Sequence, residues 1–123
     1  MPSQMLSEQR DGALILTLSD PATRNSLSPQ ANAAALEALA RAEGDPELRC
    51  VVLRGDGEHF CGGGNLQRLL QVRDAGPEEQ LQSMALLHGF VEALQSFPKP
   101  VIAAVEGFAA GAGCALVLAC DLV

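Results

Sequence analysis

The sequence predicts an α/β protein in which parallel strands alternate with helices. Short apolar runs rich in β-branched residues alternate along the chain with longer segments whose apolar residues recur at helical spacing. Two of the apolar runs are followed by glycine-rich turns, and the second of these turns consists almost wholly of glycine and alanine. The chain has 123 residues, 48% of them hydrophobic and 19% charged. We therefore treat residues 1–123 as one domain with a modest core.

Three apolar runs are predicted strands. Residues 13–18 form the first, and their nearly continuous apolar character predicts burial on both faces or nearly so. Residues 50–53 form the second, and the run that begins at residue 101 forms the third. A further strand is predicted to begin at residues 120–123.

Start and stop signals bound the helices between these strands. Ser28 followed by Pro29 predicts an N-cap and a first helical turn, and Gly44 suits the end of that helix. Met84 and Phe90 recur at helical spacing with other apolar residues, which predicts that both pack in the core. The predicted helices cover residues 29–43, 66–72, 77–97 and 116–119.

Composition and charge argue against several classes of function. The net charge of −7, with no basic cluster, makes nucleic acid an unexpected partner. No apolar run reaches the roughly 20 residues that cross a bilayer, and the polar first ten residues lack a signal-peptide core. We therefore expect a cytoplasmic protein without a membrane partner. The cysteines have no metal-ligand spacing, so we expect buried, reduced thiols and no metal site at Cys50, Cys61, Cys114 and Cys120.

The two glycine-rich turns form the candidate functional site. One covers residues 60–66 (FCGGGNL) after the second strand, and the other covers residues 107–113 after the third. In parallel sheets, ligands bind at the carboxyl ends of the strands. Neither turn has the pattern of a P-loop, a GxGxxG fingerprint or a GxSxG elbow. Two converging backbone N–H groups would form an oxyanion hole for a polarised carbonyl oxygen, with purely structural tight turns as the alternative.

Three segments resemble the crotonase family of enoyl-CoA hydratases and isomerases. They match in order and spacing over nearly the whole chain, and the third is close to the family signature. The segments are residues 20–28 (DPATRNSLS), residues 51–66 from VVLRG to FCGGGNL, and residues 99–122 with KPVIAAVEG, GAGC and ACDL. The resemblance implies a crotonase-like ββα superhelix. It also implies that residues 1–123 are a partial acyl-CoA-binding domain, ending before the C-terminal helical region.

The resemblance assigns roles to both turns. In this family two backbone N–H groups hold the thioester carbonyl of an acyl-CoA, and by position they belong to Gly64 and Ala112. Arg24 would meet a phosphate of coenzyme A, with a solvated loop charge as the alternative. Coenzyme A is part of the substrate, so no separate cofactor is expected. The implied substrate-binding residues are Arg24, Asn25, Gly62, Gly63, Asn65, Leu66, Gln67 and Gly111.

Ala115 departs from the family pattern, because hydratases carry a catalytic Glu at this position. A methyl group cannot transfer a proton, so the resemblance favours the isomerase or ring-modifying branch, including enzymes of phenylacetate catabolism. The expected mechanism stabilises a thioester enolate, and a single carboxylate from beyond Val123 moves the proton. Glu106, Asp121 and His59 are less favoured candidates for the base.

An acyl-CoA thioester is the expected partner, and the full-length form is expected to be a homotrimer or hexamer. A non-catalytic acyl-CoA-binding or scaffold member of the fold is the alternative. A third hypothesis is an α/β interaction module whose turns are only tight. For the isolated chain we expect an exposed apolar patch at Leu116, Leu118, Leu122 and Val123.

Overall fold

The computed structural model describes residues 2–123, in which four strands form one sheet in the order β1-β2-β3-β4. The strands are β1 (Gln4–Arg10), β2 (Ala13–Ser19), β3 (Cys50–Gly55) and β4 (Val101–Ala104). Strand β1 is antiparallel to β2, whereas β2, β3 and β4 are parallel. The predicted α/β class with parallel crossovers is confirmed.

Four α-helices connect or follow the parallel strands. They are α1 (Pro29–Glu43), α2 (Leu66–Ala75), α3 (Pro77–Ser96) and α4 (Ala112–Ala119). Helix α1 has the predicted bounds, and its N-cap Ser28 accepts a hydrogen bond from the N–H of Ala31. Helix α2 continues to Ala75 because the break between α2 and α3 is at Gly76, whose φ is 108°. Helix α4 begins at Ala112 rather than at residue 116.

Strand β1 was not predicted from the sequence. Its seven residues are mostly polar, and Met5 is its one buried member, so it lacks the apolar alternation of a strand. The turn that joins it to β2 nevertheless carries a signal. Asp11 and Gly12 both have positive φ, at 53° and 83°, which is the conformation that favours Asp-Gly in two-residue hairpin turns. The Asp-Gly pair could therefore have predicted the hairpin.

The core lies on one face of the sheet. Leu14, Leu16 and Leu18 of β2 are buried together with apolar residues of α1, α3 and α4. On the opposite face, Ile15 and Thr17 are only half-buried. The prediction that this strand is buried on both faces is therefore wrong, because the helical residues of the core cluster cover a single face.

Several burial predictions for the helices need correction. Phe90 lies in the core as predicted, but Met84 is 52% exposed because it lines an open cavity. Leu116 is 1% exposed and joins the core, so it does not belong to the predicted exposed patch. Leu118, Leu122 and Val123 are exposed as expected.

The four cysteines are free thiols, but they are not uniformly buried. Cys61 is buried, Cys50 and Cys120 are half-buried, and Cys114 is exposed, so the prediction of buried thiols is wrong for Cys114. Burial raises the pKa of the Cys61 thiol. Burial, with a smaller contribution from Asp121, raises the pKa of Cys120 to about 11. Both thiols are therefore neutral at physiological pH.

A unit of strand, short bridging segment and helix recurs three times along the chain. The first repeat contains β2 and α1, the second β3 and α2, and the third β4 and α4. The bridging segments pair with each other through two bridges, Leu27 with Gly64 and Cys61 with Ala109. This repeat is the predicted ββα plan. The predicted strand at residues 120–123 is reduced to one bridge, between Leu122 and Ile102.

The second and third repeats meet at Cys61. The Cys61 N–H donates to the carbonyl of Phe108 at 2.9 Å, and the Ala110 N–H donates to the carbonyl of Cys61 at 3.0 Å. Gly113 of α4 lies so close that a Cβ there would be 2.5 Å from the Cys61 carbonyl oxygen and 2.8 Å from the Cys61 Cβ. Only glycine fits this contact without a shift of the backbone.

We expect Gly113→Ala to lower the free energy of unfolding by about 1–3 kcal/mol, because the new methyl group overlaps the Cys61 backbone. Urea unfolding followed by circular dichroism measures the change. Gly44→Ala is the matched control, since a Cβ at Gly44 meets nothing within 4 Å and its φ is −94°. Equal unfolding midpoints for the two variants would contradict the tight contact.

Candidate functional site

Two cavities meet at the first glycine-rich turn. The first, called here the helical cavity, has a volume of about 270 Å³ and is bounded by α1, α2, α3 and the start of α4. Its walls include Leu69, Val72, Met84 and Leu87, and it also contacts both Gly64 and Ala112. The walls of the helical cavity are therefore mainly apolar, and one residue from each glycine-rich turn contributes to its lining.

The second cavity, called here the loop groove, has a volume of about 570 Å³. Gly64 and Asn65 line both the helical cavity and the loop groove, so the two spaces meet there. The predicted substrate-binding residues that line the loop groove are Arg24, Gly62, Asn65, Leu66 and Gln67.

The N–H groups of Gly64 and Ala112 are available to a ligand. Ala112 is the first residue of α4, where the backbone N–H has no partner within the helix. Within residues 2–123, neither N–H donates a hydrogen bond. The two turns are in contact, since a Cβ at Gly63 would lie 3.6 Å from the Ala112 nitrogen. The two unpaired N–H groups therefore belong to turns that lie side by side.

Gly63 and Gly111 shape the turns and line neither cavity. Gly63 has a φ of 93°, and its carbonyl accepts a hydrogen bond from the Leu27 N–H at 2.7 Å. Gly111 has a φ of 55° and is the N-cap of α4. Both positions favour glycine because other residues rarely adopt positive φ. The structure thus gives both glycines a backbone role beside the two donors.

Arg24 is held at the edge of the loop groove. Its guanidinium lies 5.2 Å from the centroid of the Phe108 ring, which is a cation–π distance. Phe108 in turn stacks on His59, with ring centroids 4.4 Å apart. The Phe108 N–H donates to Nδ1 of His59, which fixes that ring. No carboxylate pairs with Arg24 among residues 2–123, so its charge is available to an anion.

Asn25 lies behind the groove rather than in its lining. It is 1% exposed, and its Nδ2 donates to the carbonyls of Asp56 and His59. Its Oδ1 accepts from the Asp20 N–H at 2.9 Å. The amide is therefore fully used in holding the loop that carries Arg24, which leaves it no polar atom for a ligand.

Asn65 caps helix α2. Its Oδ1 accepts hydrogen bonds from the N–H groups of Gln67 and Arg68, at 3.0 and 3.3 Å. Asn and Asp are comparably good N-cap residues, so this cap does not require a carboxylate. Leu66 and Gln67 are exposed at the mouth of the loop groove.

No acid–base residue lines the helical cavity among the residues that the structure describes. Asp121 accepts a hydrogen bond from the Val101 N–H, and His59 accepts one from Phe108. Glu106 lines a separate hollow beside His59. Ala115 is exposed and lies outside the lining of both cavities. The lining of the helical cavity contains no Asp, Glu or His.

The His, Cys, Asp and Glu side chains of residues 2–123 form no group of three or more that is suited to a metal ion. No helix within the same residues combines the length and apolarity that a membrane span requires.

Two residues near the site were missed in the sequence. Phe108 was overlooked because it is a single aromatic residue inside a glycine-rich turn. Asn32 lines the helical cavity and is 4% exposed. The sequence pattern that could have indicated Asn32 is a polar residue within the alanine-rich stripe of α1. The structure shows that this stripe, which includes Ala31 and Ala35, is buried.

This chain is similar to known proteins in sequence and in structure. The sequence profile of the enoyl-CoA hydratase/isomerase family matches residues 8–123. A crystal structure of an enoyl-CoA hydratase from Polaromonas sp. JS666 is 52% identical, with a TM-score of 0.94 over 97% of this chain and 47% of that one.

Two curated relatives come from Escherichia coli strain K12. The 1,2-epoxyphenylacetyl-CoA isomerase is 37% identical over 97% of this chain and 46% of its own length. The 2,3-dehydroadipyl-CoA hydratase is 32% identical over 98% of this chain and 46% of its own length. The chain thus spans about half the length of these relatives. The profile match, together with the similarity in fold, shows that the chain belongs to the enoyl-CoA hydratase/isomerase family, the crotonase family that its motifs resemble.

Proposed function

We propose that this protein binds an acyl-CoA thioester and stabilises its enolate, with the thioester oxygen between the N–H groups of Gly64 and Ala112. The observation that carries the proposal is that the residues of both unpartnered donors line one cavity, which shares Gly64 and Asn65 with a second cavity. A thioester at the junction has its acyl group in the helical cavity and its coenzyme A in the loop groove.

The sizes and walls of the two cavities support this placement. The helical cavity, at about 270 Å³, is near the lower limit of small-molecule pockets, which begin at about 300 Å³. It therefore fits an acyl group but not a whole acyl-CoA, and its apolar walls suit a carbon chain. The loop groove is larger and exposes the cation of Arg24, which suits the phosphates of coenzyme A.

The chemistry follows from where charge develops. When a base removes a proton from the acyl group, the electron pair moves onto the thioester oxygen. Each preorganised N–H donor at such an oxygen stabilises the transition state by about 2.7–4 kcal/mol. Ala112 adds the positive end of the α4 dipole. The proposed base is a carboxylate outside the described lining of the helical cavity, which contains none.

Ala115 favours isomerisation or ring modification over hydration. The two-carboxylate hydration route needs an acid at this position, and an alanine methyl transfers no proton. The similarity to a 1,2-epoxyphenylacetyl-CoA isomerase supports the same branch. A non-catalytic acyl-CoA-binding protein is the second candidate, favoured by the lack of Asp, Glu and His in the described lining of the helical cavity.

We also propose that the full-length protein assembles as a homotrimer or hexamer. Leu118, Leu122 and Val123 leave apolar surface exposed at the end of this chain, which suits burial against other parts of such an assembly.

Titration of the protein, expressed at its full natural length, with an enoyl-CoA tests the function. Saturable binding together with a shift of the double bond, followed by the absorbance of the conjugated thioester, would support an isomerase. Binding without turnover would support the non-catalytic candidate. Absence of binding would refute both.

We expect Ala112→Pro to lower kcat by about 10²–10³-fold, because it deletes one oxyanion donor. Proline is well tolerated at the first position of a helix, so α4 should still form. Ala112→Gly is the matched control, since it retains the N–H and should keep kcat within about tenfold of the starting protein. Wild-type turnover by Ala112→Pro would rule out this donor.

We expect Arg24→Gln to weaken acyl-CoA binding by about 2- to 5-fold at low salt, which is the effect of losing an exposed ion pair. The same variant should bind acyl-pantetheine, which lacks the phosphates, as well as the starting protein does. Arg41→Gln, which removes an exposed cation from α1, is the control. Equal losses for both ligands would show that Arg24 does not contact a phosphate.

A further inference from the structure

Asn32 leaves a buried polar atom unpaired. Within residues 2–123, its Oδ1 is the only buried side-chain nitrogen or oxygen that lacks a hydrogen-bond partner. The residue is 4% exposed, lies on α1 between the buried Ala31 and Ala35, and lines the helical cavity. Buried polar groups in native proteins are normally paired, so this atom calls for a partner, which a ligand in the cavity could supply.

Local structure does not explain the asparagine. Its backbone N–H is already paired with the carbonyl of the N-cap Ser28, and its side chain makes no hydrogen bond to the helix. Neighbouring positions on the same stripe of α1 are alanines and a leucine, which pack without polar atoms. A polar side chain among them is unfavourable for folding unless a partner arrives.

We propose that Asn32 is a specificity-determining residue that hydrogen-bonds a hydroxyl group carried by the acyl chain. This inference rests on the proposed acyl-CoA function. A hydroxyl both donates and accepts, so it pairs with the amide whichever of its two atoms faces the cavity. The apolar side chains of Leu69, Val72, Met84 and Leu87 would contact the carbon skeleton around it.

A terminal carboxylate is the competing chemistry, because Arg68 also lines the cavity. A carboxylate would pair with the guanidinium, but it can pair with the Asn32 amide only through Nδ2, whereas a hydroxyl can pair with either atom of the amide. We therefore choose a hydroxyl as the ligand group and make a carboxylate an outcome of the test.

The test compares matched thioesters in the protein expressed at its full natural length. Dissociation constants are measured by calorimetry for hexanoyl-CoA and for hydroxyhexanoyl-CoA with the hydroxyl on carbon 3, 5 or 6. We expect at least one hydroxy isomer to bind about 3- to 10-fold more tightly than hexanoyl-CoA, the effect of one neutral hydrogen bond. Asn32→Leu should abolish that preference by weakening the hydroxy ligand without weakening hexanoyl-CoA.

Gln30→Leu is the matched control, because it replaces an exposed amide near the start of the same helix and should keep the preference. Asn32→Leu should unfold at the same or a higher temperature, since it removes an unpaired buried amide. If a leucine side chain cannot be accommodated at this position of the cavity wall, Asn32→Ala replaces Asn32→Leu in the comparison of hydroxyhexanoyl-CoA with hexanoyl-CoA.

Three results would overturn the role of Asn32. They are a ratio near one for every hydroxy isomer, a preference that Asn32→Leu leaves unchanged, and tighter binding of adipyl-CoA than of any hydroxy isomer. In each of these the protein still binds a thioester, so the acyl-CoA function stands. Failure to bind any CoA thioester would instead overturn the proposed function, and this inference with it.

Discussion

The contact between Cys61 and the third repeat is the constraint on which the site depends. The two hydrogen bonds of the Cys61 backbone join the turns, and Gly113 closes against its carbonyl oxygen. Gly64 and Ala112 lie within a few residues of this contact on their respective turns. A displacement at Cys61 would therefore move both proposed donors. In the proposed function, a fixed contact at Cys61 would keep the two donors preorganised.

The first repeat completes the arrangement from the other side. The Gly62 N–H donates to the carbonyl of Arg24, and the Leu27 N–H donates to the carbonyl of Gly63. The loop that carries Arg24 therefore also supports the first glycine-rich turn. Since β2, β3 and β4 are adjacent parallel strands, all three turns leave the same edge of the sheet. The site is thus a product of the strand order and register.

The sequence predicted the features that depend on local chemistry. Ser28 and Pro29 correctly located the start of α1, and the glycine-rich runs correctly located both turns. The errors concern features that depend on distant elements. Whether the second face of β2 is covered depends on which side the helices take, and Met84 is exposed because α3 borders an open cavity. Asn32 Oδ1 is buried without a hydrogen-bond partner because of the packing around α1, and the local sequence does not predict that packing.

Both proposed donors are main-chain atoms, and this has an evolutionary consequence. Apart from a change to proline, substitution of Ala112 leaves its N–H in place, so its side chain can vary without loss of the donor. The invariant requirement falls instead on backbone spacing, at positions such as Gly63 and Gly113. Side chains that face the cavity can then change while the two proposed backbone donors stay the same. A single scaffold can in this way acquire new reactions by replacing a few side chains.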